Sequence, residues 1–299
     1  MRKVFEEILG AQNVLIDEPM SKHTTFKIGG AADFFLTPEN EEQLRAVYKA
    51  AKEAKLPVFI LGNGSNLLVG DKGIRGVVVC LFKKMDSVEV SGDEIFVGCG
   101  ALMSRVSSVA LNSELAGFEF ASGIPGTVGG GVYMNAGAYG FELKDIIKSV
   151  RFMDGDGNIS ELEGCNCEFG YRESIFSKMS YIVLGCTFKL TKDKKELIRE
   201  RINDYTQRRV TKQPVEKPSA GSVFKRPEGY FAGALIEDAN LKGFSVGGAQ
   251  VSEKHAGFII NKGSATARDV LDLIEYIKDV VYRKNGVMLE PEVKLVGEF

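Results

Sequence analysis

Tryptophan is absent from this chain of 299 residues, and histidine occurs only at His23 and His255. Cysteine is sparse as well: Cys80, Cys99, Cys165, Cys167 and Cys186 form an odd, dispersed set. That usage suits reduced thiols better than a disulfide framework. Cys165 and Cys167 stand closer together than the cysteines of most zinc sites, so no metal centre is expected. Charge of one sign is also missing. With 38 basic against 40 acidic residues, the net charge of -2 gives no reason to bind nucleic acid or an anionic membrane. No apolar run approaches the roughly 20 residues of a membrane span, and Met1 to Glu7 lack a signal-peptide core. A soluble, cytoplasmic protein is the expectation.

Glycine, by contrast, is abundant, with 34 residues. The run from Ser122 to Gly140 concentrates it, interleaving glycines with Ile124, Val128, Val132 and Met134. Glycine permits close approach to the backbone. Exposed amides in such a run bind anions while the apolar residues pack behind them. The run therefore reads as a cradle for a phosphate-bearing cofactor. A second candidate is Gly62-Asn63-Gly64-Ser65-Asn66, which follows the buried-strand signal Val58 to Leu61. A strand feeding a glycine-polar turn is where α/β folds hold phosphates. It is not the dinucleotide fingerprint, because Leu67 stands at the third glycine position, and no Walker-type loop occurs.

Phe34 to Leu36 reads as a strand, and Thr37-Pro38-Glu39 as the opening of a helix carrying Leu44, Val47, Tyr48 and Ala51 at helical spacing. Short β signals dominate from Gly76 to about Leu190, broken by one helix with Met103, Val106, Val109 and Ala110 on a face; Asp154 to Asn158 reads as a hairpin loop. Residues 191 to 218 mix Lys and Arg with Glu and Asp, as on a solvated helix, and end in a linker containing Pro214 and Pro218. A strong amphipathic helix follows Thr266, with Asp269 as capping partner, an apolar stripe of Val270, Ile274, Ile277 and Val281, and a stop at Asn285-Gly286. Val287 to Leu289 and Val293 to Val296 are expected to form a last strand. These patterns predict an α+β protein. The expected divisions are 1–195 (subdomains of about 1–75 and 76–195), a helix and linker at 196–218, and a C-terminal domain at 219–299.

Several motifs, in order along the chain, carry a resemblance. They are His23 to Gly30, Leu61 to Leu68, Gly123 to Gly130, Asn135 to Ala138, Tyr171 to Phe176, Ala220 to Lys225, His255 to Phe258 and Glu290 to Val293. Together they resemble the UDP-N-acetylenolpyruvoylglucosamine reductases, in their shorter form without a tyrosine-bearing insertion. The resemblance implies an FAD-binding domain of the PCMH/vanillyl-alcohol-oxidase type and a C-terminal α+β substrate-binding domain. It also implies non-covalent FAD, NADPH as reductant and a sugar-nucleotide substrate, in peptidoglycan synthesis, with no obligate protein partner.

Carried over by motif, Arg172 clamps the substrate carboxylate, Ser222 donates a proton, and Glu292 joins Arg172 in polarising the developing enol. Ile28, Gly62, Asn63, Gly64, Ser65, Asn66, Gly123, Pro125, Gly126, Thr127, Gly129, Gly130, Asn135, Ala136, Gly137 and Ala138 are expected at FAD, the two glycine segments through their amides. Lys225 and Tyr171 are expected at the substrate, and His255 either near the cofactor or in domain packing. On residue type alone, Arg172 reads as a surface cation beside Glu173, Ser222 as a turn-to-strand serine and Glu292 as solvent-facing. Arg226 and Asn240 stand where the family commonly has asparagine and glycine, and Gly131 where alanine is frequent. A related FAD oxidase would share only the first domain, and a non-enzymatic nucleotide-binding protein would hold no flavin.

Overall fold

The β signals between Gly76 and Leu190 resolve largely into one antiparallel sheet. In the computed structural model, which describes residues 1–299, its order is Ile159–Glu163, Ile147–Met153, Ile182–Lys189, Glu94–Gly98, Val88–Ser91. The first two strands pair as a hairpin around the Asp154 to Asn158 turn, whose Asp154 carboxylate accepts from the amides of Asp156 and Asn158. Met103, Val106 and Ala110 of the helix Met103–Asn112 are buried in the same core as Ile95, Val97, Val150 and Val183 of the sheet.

A second core gathers Phe5 and Leu9 of the helix Arg2–Leu9, Leu44, Val47 and Ala51 of the helix Glu41–Glu53, and Val77 and Val79. The helix expected to open at Thr37-Pro38-Glu39 starts at Glu41 instead, because the Asn40 side chain accepts from the Gln43 amide at 2.9 Å and caps it. The strand Val58–Leu61 pairs in parallel with Val77–Cys80. The strand Ile74–Cys80 thus begins just ahead of the boundary drawn near residue 75.

The chain divides into two units that do not follow a linear order. The first comprises Met1–Leu15, Phe34–Asn63 and Val77–Arg208; the second comprises Ile16–Asp33, Gly64–Gly76 and Arg209–Phe299. The contiguous scheme of 1–195, 196–218 and 219–299 places two early segments elsewhere, since local pattern does not reveal a partner two hundred residues away. Within the second unit those segments are integral. Phe26, Ile28 and Leu68 share a core with Val270, Ile274, Ile277 and Val281. Leu67–Val69 pairs in parallel with Lys294–Val296. The Asp71 carboxylate accepts from the amides of Ala267 (2.8 Å) and Arg268 (3.1 Å), closing the start of the last helix.

That helix, Ala267–Asn285, has the expected reciprocal cap between Thr266 and Asp269 and ends at Gly286 in the left-handed conformation. Val287 to Leu289 form no strand: Leu289 points into the core while Met288 is exposed. Lys195–Lys212 is the solvated helix read from its charges, with only Ile198 buried, and it ends two residues before Pro214. Asn240 explains its own departure from glycine, since its φ of 56° is a conformation asparagine tolerates better than most residues. At Gly131 a methyl group would run into Met103 Cε, so the small residue and the long methionine fit as a pair. No helix is long and apolar enough to cross a membrane, and no group of three or more His, Cys, Asp or Glu residues is placed to hold a metal ion.

Candidate active site

The glycine run is less loop-like than its composition suggests. Thr127 starts the short helix Val128–Tyr133, its hydroxyl accepting from the Gly130 amide at 3.4 Å. Val128 and Val132 are fully buried behind it, and Ile124 packs against the same core. The amides of Val128 and Gly129 donate to the carbonyls of Ala101 and Cys99. Gly129 and Gly130 therefore shape the turn and do not offer amide donors, a correction to the view that every amide from Gly123 to Gly130 faces a phosphate. The amides of Gly123, Gly126 and Thr127 have no acceptor within the protein, and the buried Ser122 hydroxyl has no partner.

The other glycine loop meets the run through Asn63, whose side-chain amide donates to the Pro125 carbonyl at 2.6 Å. A side chain at Gly62 would collide with Thr127 Oγ1, so the close approach of the two segments requires glycine. Asn63, Gly64 and Ser65 present amides with no protein acceptor. At Gly64, φ is +61° and a Cβ would strike the His23 carbonyl. Within the first unit, the unsatisfied amides of Asn63, Gly123, Gly126 and Thr127, with the Ser122 hydroxyl, suit a pyrophosphate: they supply hydrogen bonds to oxygen without a bulky side chain.

Three expected cofactor contacts are otherwise engaged. Ile28 is buried in the core of the second unit, and its amide and carbonyl both bond Thr24 Oγ1. Asn66 donates its side-chain amide to the Glu292 carbonyl at 3.2 Å and accepts from the Lys294 amide on its own carbonyl. Asn135, fully buried, donates to the Gly170 carbonyl (2.9 Å) and Glu142 Oε2 (3.1 Å) and accepts from the Lys144 amide (3.0 Å). These asparagine side chains are ties between chain segments. Ala136 anchors the run by donating to the Gly131 carbonyl at 2.8 Å, and Gly137 and Ala138 pair with Glu142 and Phe141 in a small hairpin.

Arg172 sits at the third position of the turn Gly170 to Glu173, closed by Gly170 N–H donating to the Glu173 carbonyl at 3.0 Å. Its φ is 60°, a conformation that costs an ordinary residue about 1–2 kcal/mol. The guanidinium lies 4.8 Å from the centre of the exposed Tyr171 ring, and its Nη2 reaches the Gly137 carbonyl at 3.4 Å. Glu173 faces Lys178 at 3.7 Å.

In the second unit, the segment Ser222 to Lys225 runs between two others. Val223 donates to the Gly257 carbonyl at 2.9 Å on one side, and its own carbonyl accepts from the Glu292 amide at 2.7 Å on the other. Ser222 and Glu292 are thereby brought onto adjacent segments. A methyl group on Gly257 would stand 3.3 Å from Ser222 Oγ and 3.0 Å from His255 Cε1, so hydroxyl, imidazole edge and glycine converge. His255 is half-buried, stacks edge-on against Phe258 and accepts from the Gly257 amide on Nδ1 at 3.1 Å. Burial lowers its pKa from the ordinary histidine value. Its ring packs against Phe258, close to Ser222, the expected acid. Lys225 Nζ is 3.0 Å from Glu290 Oε2. Glu290, the other acid of its motif, thus has a cationic partner of its own.

A curated UDP-N-acetylenolpyruvoylglucosamine reductase of Clostridioides difficile (strain 630) is 53% identical over 291 residues, covering 97% of this chain and 96% of the relative. This chain belongs to the UDP-N-acetylenolpyruvoylglucosamine reductase family. A reductase of the same name from Alkaliphilus oremlandii (strain OhILAs) is 51% identical over 296 residues, 99% of this chain and 97% of the relative. The family's C-terminal domain model matches residues 213–296, and an FAD binding domain model matches residues 32–163. The crystal structure of the Thermus caldophilus reductase superposes with a TM-score of 0.82 at 34% identity, covering 95% of this chain and 98% of that one. The fold is accordingly the expected FAD-binding region joined to the reductase C-terminal domain. A glucose dehydrogenase, Phl p 4.0202, shares the fold over 64% of this chain and 44% of its own, with a TM-score of 0.50 at 15% identity.

Sequence reasoning missed Ser122 as a candidate donor and the structural use of Asn66 and Asn135. The signal for Asn135 is an asparagine set among glycines, where positive φ and local hydrogen bonding are both in demand; its φ is 45°.

Proposed function

We propose that this enzyme reduces the enolpyruvyl group of UDP-N-acetylglucosamine enolpyruvate to UDP-N-acetylmuramate, with NADPH as reductant and FAD as hydride carrier. The relation along nearly the full length of the family's members carries the reading. The placement of Ser222 and Glu292 on adjacent hydrogen-bonded segments of the second unit supports it. FAD is assigned to the region matched by the FAD binding domain model and the sugar nucleotide to residues 213–296. The setting proposed is the cytoplasm and the role peptidoglycan supply, hence cell shape and division. Nucleic acid, membrane and protein partners have no part in it.

Held by the unsatisfied amides of Gly123, Gly126 and Thr127, within the region that the FAD binding domain model matches, FAD would supply the hydride chemistry between NADPH and the enolpyruvyl group. The residues of this chain answer the charge that results. Negative charge develops on the carbon beside the substrate carboxylate, where Arg172 is the proposed electrostatic clamp; its planar fork suits a carboxylate. The strained backbone at Arg172 supports a functional reading, because such strain persists where the surroundings over-determine it. Ser222 is the proposed proton donor to that carbon. A serine hydroxyl is a weak acid, but a carbanion next to a carboxylate is basic enough to take its proton. Glu292, held by the bond of its amide to Val223, joins Arg172 in polarising the enol. Lys225 and Tyr171 are proposed to contact the substrate.

Separating the half-reactions tests this. Ser222→Ala should still let NADPH bleach the flavin, while reoxidation by the enolpyruvyl nucleotide slows by roughly 10²–10⁴-fold. Reoxidation at the wild-type rate in stopped-flow absorbance would remove Ser222 from the proton-donor role.

A further inference from the structure

We infer that Asn135 is a positioning residue for Arg172, and not a ligand of the cofactor. The inference rests on the proposed role of Arg172 in the second half-reaction.

Every polar atom of the Asn135 side chain is used inside the first unit. Nδ2 donates to the Gly170 carbonyl at 2.9 Å and to Glu142 Oε2 at 3.1 Å; Oδ1 accepts from the Lys144 amide at 3.0 Å. Gly170 is the first residue of the four-residue turn whose third residue is Arg172. Its carbonyl also takes the weak return bond from the Glu173 amide at 3.5 Å, so Asn135 supplies the shorter bond to that atom. Two residues beyond Asn135, the Gly137 carbonyl accepts from Arg172 Nη2 at 3.4 Å. One short segment thus holds both the base of the turn and the guanidinium it presents.

Two backbone facts make the tie consequential. Asn135 and Arg172 both have positive φ, 45° and 60°. A turn with arginine in that conformation relaxes toward ordinary φ unless fixed from outside, and relaxation would swing the guanidinium away. The side chain is fully buried, so water cannot replace the lost donor. A misplacement of about 1 Å in a catalytic group costs on the order of 10²-fold in rate.

The variants Asn135→Gly and Asn135→Asp separate the possibilities on the full-length holoenzyme. Both residues accept positive φ. Glycine removes the whole tie. Aspartate keeps the volume and the acceptor for Lys144 but cannot, when ionised, donate to Gly170, and it reports even where the glycine variant is not recovered. The expected result is retained FAD, flavin bleaching by NADPH at the wild-type rate, and reoxidation by the enolpyruvyl nucleotide slowed about 10²-fold. In an Arg172→Ala background, adding either substitution should slow reoxidation no further. Loss of FAD, or slowed bleaching, would make Asn135 a cofactor ligand and overturn the inference. Wild-type reoxidation, or an additive loss in the double variants, would overturn it as well. If Arg172→Ala alone reoxidises at the wild-type rate, the role of Arg172 falls and the inference with it. That failure is told apart because it appears in a chain whose Asn135 is intact.

Discussion

Arg172 keeps its left-handed backbone at a cost, and the cost makes the residue testable in two directions at once. Replacing it with glycine removes the guanidinium and also the steric penalty of about 1–2 kcal/mol. Arg172→Gly should therefore melt within a few degrees of the wild type in a thermal scan, while its flavin is reoxidised at least about 10²-fold more slowly. Parallel losses of stability and rate would mean the arginine is structural. His255 gives a second residue-scale prediction. Burial, the largest influence, and the positive charges of Lys242 and Lys212 lower its pKa, whereas its backbone hydrogen bond and Glu237 oppose them. A lowered folded-state value means that the unfolded chain takes up the proton first. The associated stability is present above the ordinary value of about 6.5 and is lost as pH falls through the folded one. His255→Asn, which keeps an acceptor near the Gly257 amide, should lose less melting temperature than the wild type on acidification from about pH 7.5 to about pH 5.

At the scale of elements, the loop from Gly62 to Asn66 depends on backbone geometry that no side chain could share. Gly64→Ala should destabilise the fold by about 1–3 kcal/mol, read from denaturant midpoints, because the methyl group meets the His23 carbonyl at a positive φ. An unchanged midpoint would show that the loop relaxes freely. The same scale separates what was legible from what was not. The helix Ala267–Asn285 carries its limits in its own residues, from the Thr266 cap to Gly286, and its buried stripe is the one its period predicts. Strands such as Ser245–Val246 and Ala249–Val251 are too short for alternation to register. Val287 to Leu289 has the apolarity of a strand but no neighbouring strand to pair with. At the site, Arg172, Ser222 and Glu292 are candidates only through motifs, since residue type alone favours a surface cation, a turn-to-strand serine and a solvent-facing acid. The glycine segments were legible as a cradle, yet which amides are already committed to Ala101 or Cys99 depends on tertiary contacts. The asparagine side chains tie chain segments together, a use that their place among glycines does not announce. A buried amide able to donate and accept is as useful for tying segments as for holding a ligand.

At the scale of the molecule, the interleaving of the two units decides which fragments can stand alone. The stretch Arg209–Phe299 contains most of the second core but lacks Phe26, Ile28 and Leu68, the strand that pairs with Lys294–Val296, and the Asp71 carboxylate at the start of the last helix. Expressed alone, residues 209–299 should show no cooperative thermal transition by circular dichroism. A sharp transition would mean that the early segments are accessories to a domain already complete.

The parallel pairing of Leu67–Val69 with Lys294–Val296 also sets an order of events during synthesis. The first strand leaves the ribosome long before its partner exists. At roughly 5–20 residues per second, the intervening chain takes about 10–45 s to emerge. Throughout that interval Leu68, fully buried in the finished fold, has Phe26 and Ile28 but lacks the C-terminal part of its core. Faster elongation shortens this exposed interval and slower elongation lengthens it. Slowing translation should therefore lower the yield of native protein, and added chaperone should restore it, if this three-residue strand near the front of the chain is the exposed element.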